Sequence, residues 1–397
     1  MKVKCSKFCR TLALASGLLA AMPGGALAQS ELVLGYLTAE TGPFVSLSRT
    51  NEIAARIAVD EINAAGGVNG RKVRHIAFDT AGNPGQTVIG LRKLAEDDKV
   101  LAVIGPFSSG QVQVASPAGD RLGIVTMSMA SSAPKLVAPF KYAMRNTSDE
   151  AYMFERVMLT LKSKGLPAAT GAVAFGNDDT ISRTMGEKVL PALMKKVGVD
   201  VKLSVDFKIG AFDLSAQVAQ LKASPTDLVG VGAPPEAAIK LAQEMRRQGH
   251  NGRLVAGSTI NDPDLPVRMG KEGDGTVIPS TFFADLNDRT RKFAAEFTRR
   301  AKAANLDRTQ AAQFDAATYD IVLYYAWAMK EANVTGDPKR LAEERTAIRA
   351  ALGRMKDFPA LEGAISFGAD NDALKPVYVI EARAGKWTLL DTHAAAK

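Results

Sequence analysis

Cysteine is almost missing from this chain of 397 residues: Cys5 and Cys9 are the only two, and both fall within the first ten positions. The rest of the chain can form neither a disulfide nor a thiolate metal site, so its folded body must be held by a hydrophobic core. Histidine is nearly as scarce. His75, His250 and His393 have no spacing that pairs them as metal ligands, and His250 sits in a Gly-His-Asn-Gly turn that ends a helix. The phosphate-cradling patterns G-x-x-x-x-G-K-[ST] and G-x-G-x-x-G are absent, as is the G-x-S-x-G of a nucleophile elbow. Beyond the N-terminal region no run of about eighteen apolar residues occurs, which argues against a membrane-spanning helix.

What is present begins with a targeting segment. Lys2, Lys4, Lys7 and Arg10 form a basic start, Thr11 to Met22 is an apolar stretch too short to cross a bilayer, and Ala26-Leu27-Ala28 is a small-residue cleavage site before Gln29. Residues 1–28 are therefore read as a secretory signal, which places the mature chain in the periplasm without a lipid anchor, since no cysteine follows the site. Without the four cations of that segment the formal charge of +8 falls to +4. The remaining charges are interspersed, so no nucleic-acid footprint emerges. The 369 residues that follow exceed what one core usually supports and argue for two lobes.

The stretch Leu101 to Pro134, LAVIGPFSSGQVQVASPAGDRLGIVTMSMASSAP, organises the reading. Leu101 to Ile104 and Gly123 to Met127 are apolar runs too short for helices and read as buried parallel strands joined by a helical crossover. Ser108 and Ser109 then precede a helix, and Ser131 and Ser132 precede a turn, so both serine pairs lie at the carboxyl ends of neighbouring strands, where open α/β sheets bind ligands. Such positions offer backbone N–H groups, hydroxyls and the positive end of a helix dipole, which suit a small carboxylate. The same serines are equally ordinary N-caps.

The strand–helix beat runs along the whole chain. Leu32 to Leu37 is a strand, Ile53, Ile57 and Ile62 mark the buried stripe of a helix, Lys72 to Asp79 is a strand, and Thr87 to Asp97 is helical. After Glu150 to Lys164, a helix, the beat restarts: strands at Thr170 to Phe175, Val201 to Phe207, Leu228 to Val231 and Leu254 to Ala256 alternate with helices at Ile181 to Val197, Leu214 to Ala223 and Glu236 to Gln248. A strand at Gly275 to Thr281, helices at Arg289 to Ala304, Phe314 to Ala332 and Pro338 to Met355, and a strand pair near Val377 to Ile380 and Trp387 to Leu390 complete it. The predicted fold is α/β, with two doubly wound parallel sheets.

Five segments in order, LVLGYLTAETGPF, AVDEINAAGGVNGRKV, DTAGNPGQT, LAVIGPFSS and ASSAP, make the chain resemble the Leu/Ile/Val-binding type of periplasmic solute-binding protein that serves ABC importers. The resemblance implies the type I fold, in which two lobes are joined by three crossings, here near Arg145, Thr281 and Pro376. It divides the chain into 29–145 with 282–375 for one lobe and 146–281 with 376–397 for the other. It also implies a ligand held in the cleft and sealed by hinge closure, no cofactor, an inner-membrane ABC permease as partner, and a monomer. The family's carboxylate-binding positions match Ser109, Ala130 through its backbone, and Ser132; a pocket aromatic matches Phe314, which reads equally as a core residue.

The departures fall on the amine side. The glutamate that holds the ammonium group of amino acids in the family is Thr259 here, and family tyrosines are Leu47, Thr180 and Ala233. Asp178, Asp179, Glu236 or Asp262 are the candidates for a substitute charge. Without one, a buried ammonium group is costly. The expectation is therefore a binding protein for a carboxylate with an aliphatic or aromatic body, with amino acids, branched-chain ones included, as the second choice. Two other function classes share parts of these signals. Ser132-Ala133-Pro134-Lys135 is formally S-x-x-K, but Pro134 disfavours the helical turn that an acylating serine and lysine need, and no S-D-N or K-T-G follows. A periplasmic receptor that passes ligand binding to a membrane signalling partner would share the fold. The exported product is expected to begin at Gln29 and to be indifferent to reductant; intact-mass measurement of periplasmic material checks this, and a retained N-terminus would refute it.

Overall fold

Leu32–Thr38 (β1), an almost continuous apolar run, lies at the interior of a parallel sheet because both of its faces are covered. The computed structural model describes residues 31–395, so the secretory segment lies outside the described residues. Val73–Asp79 (β2) pairs with β1 in parallel from Leu32↔Val73 to Thr38↔Asp79, and Val103–Ile104 (β3), Thr126–Ser128 (β4) and Ala143–Arg145 (β5) extend the sheet in the order β2-β1-β3-β4-β5. The second sheet is built from Thr170–Gly176 (β6), Asp200–Phe207 (β7), Leu228–Gly232 (β8), Arg253–Ala256 (β9) and Val277–Ser280 (β10). Phe358–Ala360 (β11), Gly363–Phe367 (β12) and Ala373–Leu374 (β13) form a small antiparallel sheet. Val377–Arg383 (β14) and Lys386–His393 (β15) then add two antiparallel edge strands to the second sheet, whose order is β15-β14-β10-β9-β8-β6-β7. Separate apolar clusters cover the two faces of each large sheet, which makes both doubly wound.

Several boundaries differ from the sequence reading for identifiable reasons. The helix Asn51–Ala64 (α1) buries Ala54, Ala55, Ile57 and Ala58, while Ile53 and Ile62 are only half-buried at its flanks; alanines let it lie close to the helix Gln313–Glu331. The helix expected from Thr87 begins at Pro84, because Asn83 caps it by accepting the Gln86 N–H at 3.0 Å. Gly123 closes the helix Ser109–Leu122 (α2) with a left-handed φ of 60°, and the Ile124 N–H returns to Gly119, so β4 starts only at Thr126. Strands β5, β11, β12 and β13 were not foreseen, being two to five residues long and too short to show a period.

The chain leaves the first sheet after Arg145, leaves the second after Ser280 and re-enters it at Val377. Buried charges meet at these passages. The guanidinium of Arg145, fully buried, donates to Asp372 through Nε and, at 2.6 Å, through Nη2; Nη1 donates to the carbonyls of Ala133 at 2.7 Å and Ser131 at 3.1 Å. Lys375, also buried, donates to Glu362 and at 2.9 Å to the Asn146 carbonyl, while the Thr281 hydroxyl donates to the other Glu362 oxygen at 2.7 Å. All three passages are thereby tied together. Replacing Asp372 by alanine leaves buried Arg145 with only the more distant carboxylate of Asp149, 3.7 Å away, and is expected to lower stability by about 3 kcal/mol in urea unfolding. Glu296→Ala, which removes the partner of the exposed Arg299 and one of the two partners of Arg300, is expected to stay within about 1 kcal/mol.

Candidate functional site

Because all strands of the first sheet and the central strands of the second run parallel, their carboxyl ends collect loops at one edge of each sheet, and these edges enclose one cavity of about 620 Å³. The first lobe contributes Phe44, Leu47, Phe107, Ser109, Ala130, Ser132 and Phe314; the second contributes Asp178, Asp179, Thr180, Ile209, Glu236, Lys240, Ser258 and Thr259. Of the residues picked out from sequence, Leu47, Ser109, Ala130, Ser132, Phe314, Thr180 and Thr259 are brought together here. Ala233 is not. It is fully buried behind Thr259, whose hydroxyl donates to its carbonyl at 3.3 Å, and Pro234, Pro235 and Glu236 line the wall in its place.

The first wall is apolar and rigid. Phe107 packs edge-on against Phe314, with ring centroids 5.4 Å apart, and Phe44 completes the row at 5.8 Å from Phe107. Phe314 belongs to the core and to the cavity at once. Beneath it Arg308 binds Asp315 at 2.6 Å and the Leu47 carbonyl at 3.2 Å, which joins the loop after β1 to the start of the helix Gln313–Glu331. Phe44 and Phe107 escaped the sequence reading, although each lies within two residues of a proline in a loop that follows a strand.

The serine pairs divide their work. Ser108 is the N-cap of α2: its hydroxyl accepts the Gln111 N–H and Gln111 reaches back to its backbone. Ser109 is the first helical residue, and its oxygen accepts the Ala133 N–H at 3.4 Å, which leaves its proton free to donate. The N–H groups of Ser109 and Gly110, in the first turn, have no acceptor within the helix. Ser131 is buried away from the cavity, and the Ala130 N–H approaches Ser128 Oγ at 3.4 Å. Lys135 adopts a φ of 57°, so Ser132 and Lys135 do not share a helical turn.

On the second wall the acidic candidates are engaged. Asp178 accepts the Ile209 N–H at 3.0 Å, Asp179 caps the helical run 180–196 through Ser182 at 2.8 Å, and Glu236 pairs with Arg268. Asp262 does not reach the cavity: it is buried and accepts the Asp264 N–H at 2.9 Å. A carboxylate that the sequence marked only as a helix start lies closer to the chemistry. Glu150 opens the helix Glu150–Ser163 (α3) and is completely buried; it accepts the Ser258 N–H and the Ser258 hydroxyl at 2.8 Å, and its own N–H donates to the Ser132 carbonyl at 2.9 Å. Burial pushes its carboxyl above the usual range, and the neighbouring Ser132 and Ser258 oppose that shift.

Residues 31–386 match the family described as periplasmic binding protein. The chain belongs to that family. An amino acid binding protein from Pseudomonas aeruginosa is 28% identical over 263 residues, 65% of this chain and 68% of that protein. The Leu/Ile/Val-binding protein BraC3 from Rhizobium johnstonii is 24% identical over 368 residues, 90% of this chain and 93% of that protein. Among solved structures, the substrate-binding protein LivJ of a branched-chain amino acid transporter from Streptococcus pneumoniae, in complex with isoleucine, superposes with a TM-score of 0.79 at 20% identity, covering 92% of this chain and 99% of that one. A solute-binding protein of an ABC transporter from Rhodopseudomonas palustris BisB5, in complex with 3,4-dihydroxy benzoic acid, gives 0.78 at 17%, covering 92% and 98%. These likenesses show the two-lobed type I fold, and membership of the family implies a location outside the cytoplasm.

Gly257 is what lets Glu150 lie against the family's cleft in this chain. A Cβ at position 257 would fall 1.9 Å from Glu150 Oε1, so only glycine admits the carboxylate. Gly257→Ala is expected to cost about 1–3 kcal/mol by displacing Glu150 or the β9 loop, measurable as a lower urea midpoint with an unchanged slope.

Proposed function

We propose that this protein captures a small carboxylate-bearing solute in the cleft between its lobes, without catalysis, and delivers it in the periplasm to an inner-membrane ABC permease. One observation carries the reading: the Ser109 hydroxyl and the first-turn N–H groups of α2 converge on a cavity whose adjoining wall is the row Phe44, Phe107 and Phe314. The polar end suits an anion of carboxylate size, and the aromatic wall suits an apolar or aromatic body. The ligands bound in the two solved relatives, isoleucine and 3,4-dihydroxy benzoic acid, differ in body and share a carboxylate, in keeping with that division. Ser132, which lines the same cavity, is on this reading the second hydroxyl available to the carboxylate.

A ligand that binds only the folded state adds about 2.7 kcal/mol at a hundredfold excess over its dissociation constant, enough for a clear melting shift. A thermal-shift panel of aliphatic acids, aromatic acids, amino acids and the amide of each is expected to give shifts with carboxylates and none with amides. Ser109→Ala should then weaken the best ligand roughly ten- to hundredfold in calorimetry, the worth of one hydrogen bond to a charged group. Equal shifts from acids and amides, or an unchanged affinity in Ser109→Ala, would refute the carboxylate site.

A further inference from the structure

Among the described residues that line the cavity, Lys240 is the only one with a positive charge. It stands on the helix Pro235–Arg247, which follows β8, one turn beyond Glu236 on the same face. A glutamate four residues before a lysine ordinarily pairs with it. Here Glu236 turns away to Arg268, and Lys240 reaches the turn after β7, where its ammonium donates to the Ala211 carbonyl at 2.8 Å. That carbonyl is its one partner among the described residues, and no carboxylate forms an ion pair with it.

An ammonium carries a full charge and three N–H donors. One donor goes to Ala211, so two remain, on a side chain that is half-buried. Ile209 and Gly210, in the same turn as Ala211, also line the cavity, so the tether keeps the ammonium at the cavity's edge where a lysine would ordinarily extend into water. The acids of this wall are held by other groups: Asp178 by the Ile209 N–H, Asp179 by the Ser182 N–H and Glu236 by Arg268. Lys240 is therefore the one side chain of the second wall that attracts a negative group. The size of the cavity points the same way. Its 620 Å³ lies well within the range of about 300–1,000 Å³ that holds drug-sized ligands, and a short monocarboxylate seated at Ser109 against the aromatic row would leave the second wall to water.

Building on the carboxylate-binding reading, we propose that Lys240 is a second anion-binding residue of the cleft, so that the preferred solute is a dicarboxylate. One carboxylate lies on the Ser109 side of the first lobe, the other meets Lys240 on the second, and the body of the molecule runs along Phe44, Phe107 and Phe314 between them. Such a solute has a charge-assisted hydrogen bond at each end, and each end belongs to a different lobe. A monoacid makes only the first of these bonds. A half-amide can accept from the lysine at its far end, but it brings no charge to it.

The test takes the straight-chain diacids from succinate to suberate and the benzene dicarboxylates, each beside its half-amide and beside the monoacid with a methyl group in place of the second carboxylate. Thermal shift and then calorimetry are run on the wild type, Lys240→Met and Lys240→Arg. The wild type is expected to bind at least one diacid roughly ten- to hundredfold more tightly than its monoacid and its half-amide, the worth of one hydrogen bond between charged groups. Lys240→Met, which keeps the length of the side chain and removes the charge, should bring that ratio to within about threefold by weakening the diacid alone. Lys240→Arg keeps the charge and should keep most of the preference. If Lys240 serves only to fasten the turn at Ala211, Lys240→Met will weaken diacid and monoacid alike and leave the ratio intact, which overturns the proposal. A wild type that binds half-amides or monoacids as well as diacids overturns it too, while the carboxylate reading stands; that comparison needs no variant and so holds even where Lys240→Met does not fold. A panel without a binder of any kind would remove both.

Discussion

The ion cluster at the three passages between the sheets is the constraint on which the rest of this molecule depends. Arg145 and Lys375 are both without solvent, and each holds a carboxylate and backbone carbonyls contributed by distant segments. A planar guanidinium can make such bonds only in a fixed geometry, so Asp372, Ser131 and Ala133 are set relative to β5 by one side chain. Lys375, Glu362, Asn146 and Thr281 do the same for the other passages. An apolar replacement could pack as well, but it would not dictate which carbonyl faces which passage.

The cleft inherits its order from that cluster. Arg145 holds the carbonyls on either side of Ser132, and the Ser132 carbonyl accepts the Glu150 N–H at 2.9 Å, so the loop that carries this serine is fixed from below. Glu150 in turn reaches Ser258, on the far side of the cavity. The site is therefore asymmetric by construction. Its first lobe presents a packed aromatic row and a helix start, and its second presents hydroxyls and acids that are mostly occupied by backbone N–H groups. Only a few polar atoms remain to address a ligand, which is how a cavity of this size acquires selectivity.

Local signals were strong wherever a segment was long or chemically restricted. The apolar run of β1 and the capped start of α2 each have a physical cause within ten residues, and the sequence reading found them. Ser109 was found for the same reason: a strand that ends in serines before a helix is a local pattern with a known destination. The small sheet β11-β12-β13 went unseen because its strands are held by pairing with one another and not by periodicity. Glu150 was seen only as a helix start, because the serine whose hydroxyl and N–H it accepts lies 108 residues further along the chain.

By itself, then, the sequence determined the α/β class, the division into two lobes, the family and the strand ends whose loops line the cavity, since each of these follows from patterns of burial and turn chemistry that adjacent residues must satisfy. Tertiary structure alone decided that Ala233 and Asp262 stand outside the cavity while Phe44 and Phe107 line it, and where the buried charges find partners. Those outcomes depend on contacts between segments remote in the chain. A hydrogen bond's direction and a charge's solvation are set by what comes to lie within a few ångströms, which no local pattern records.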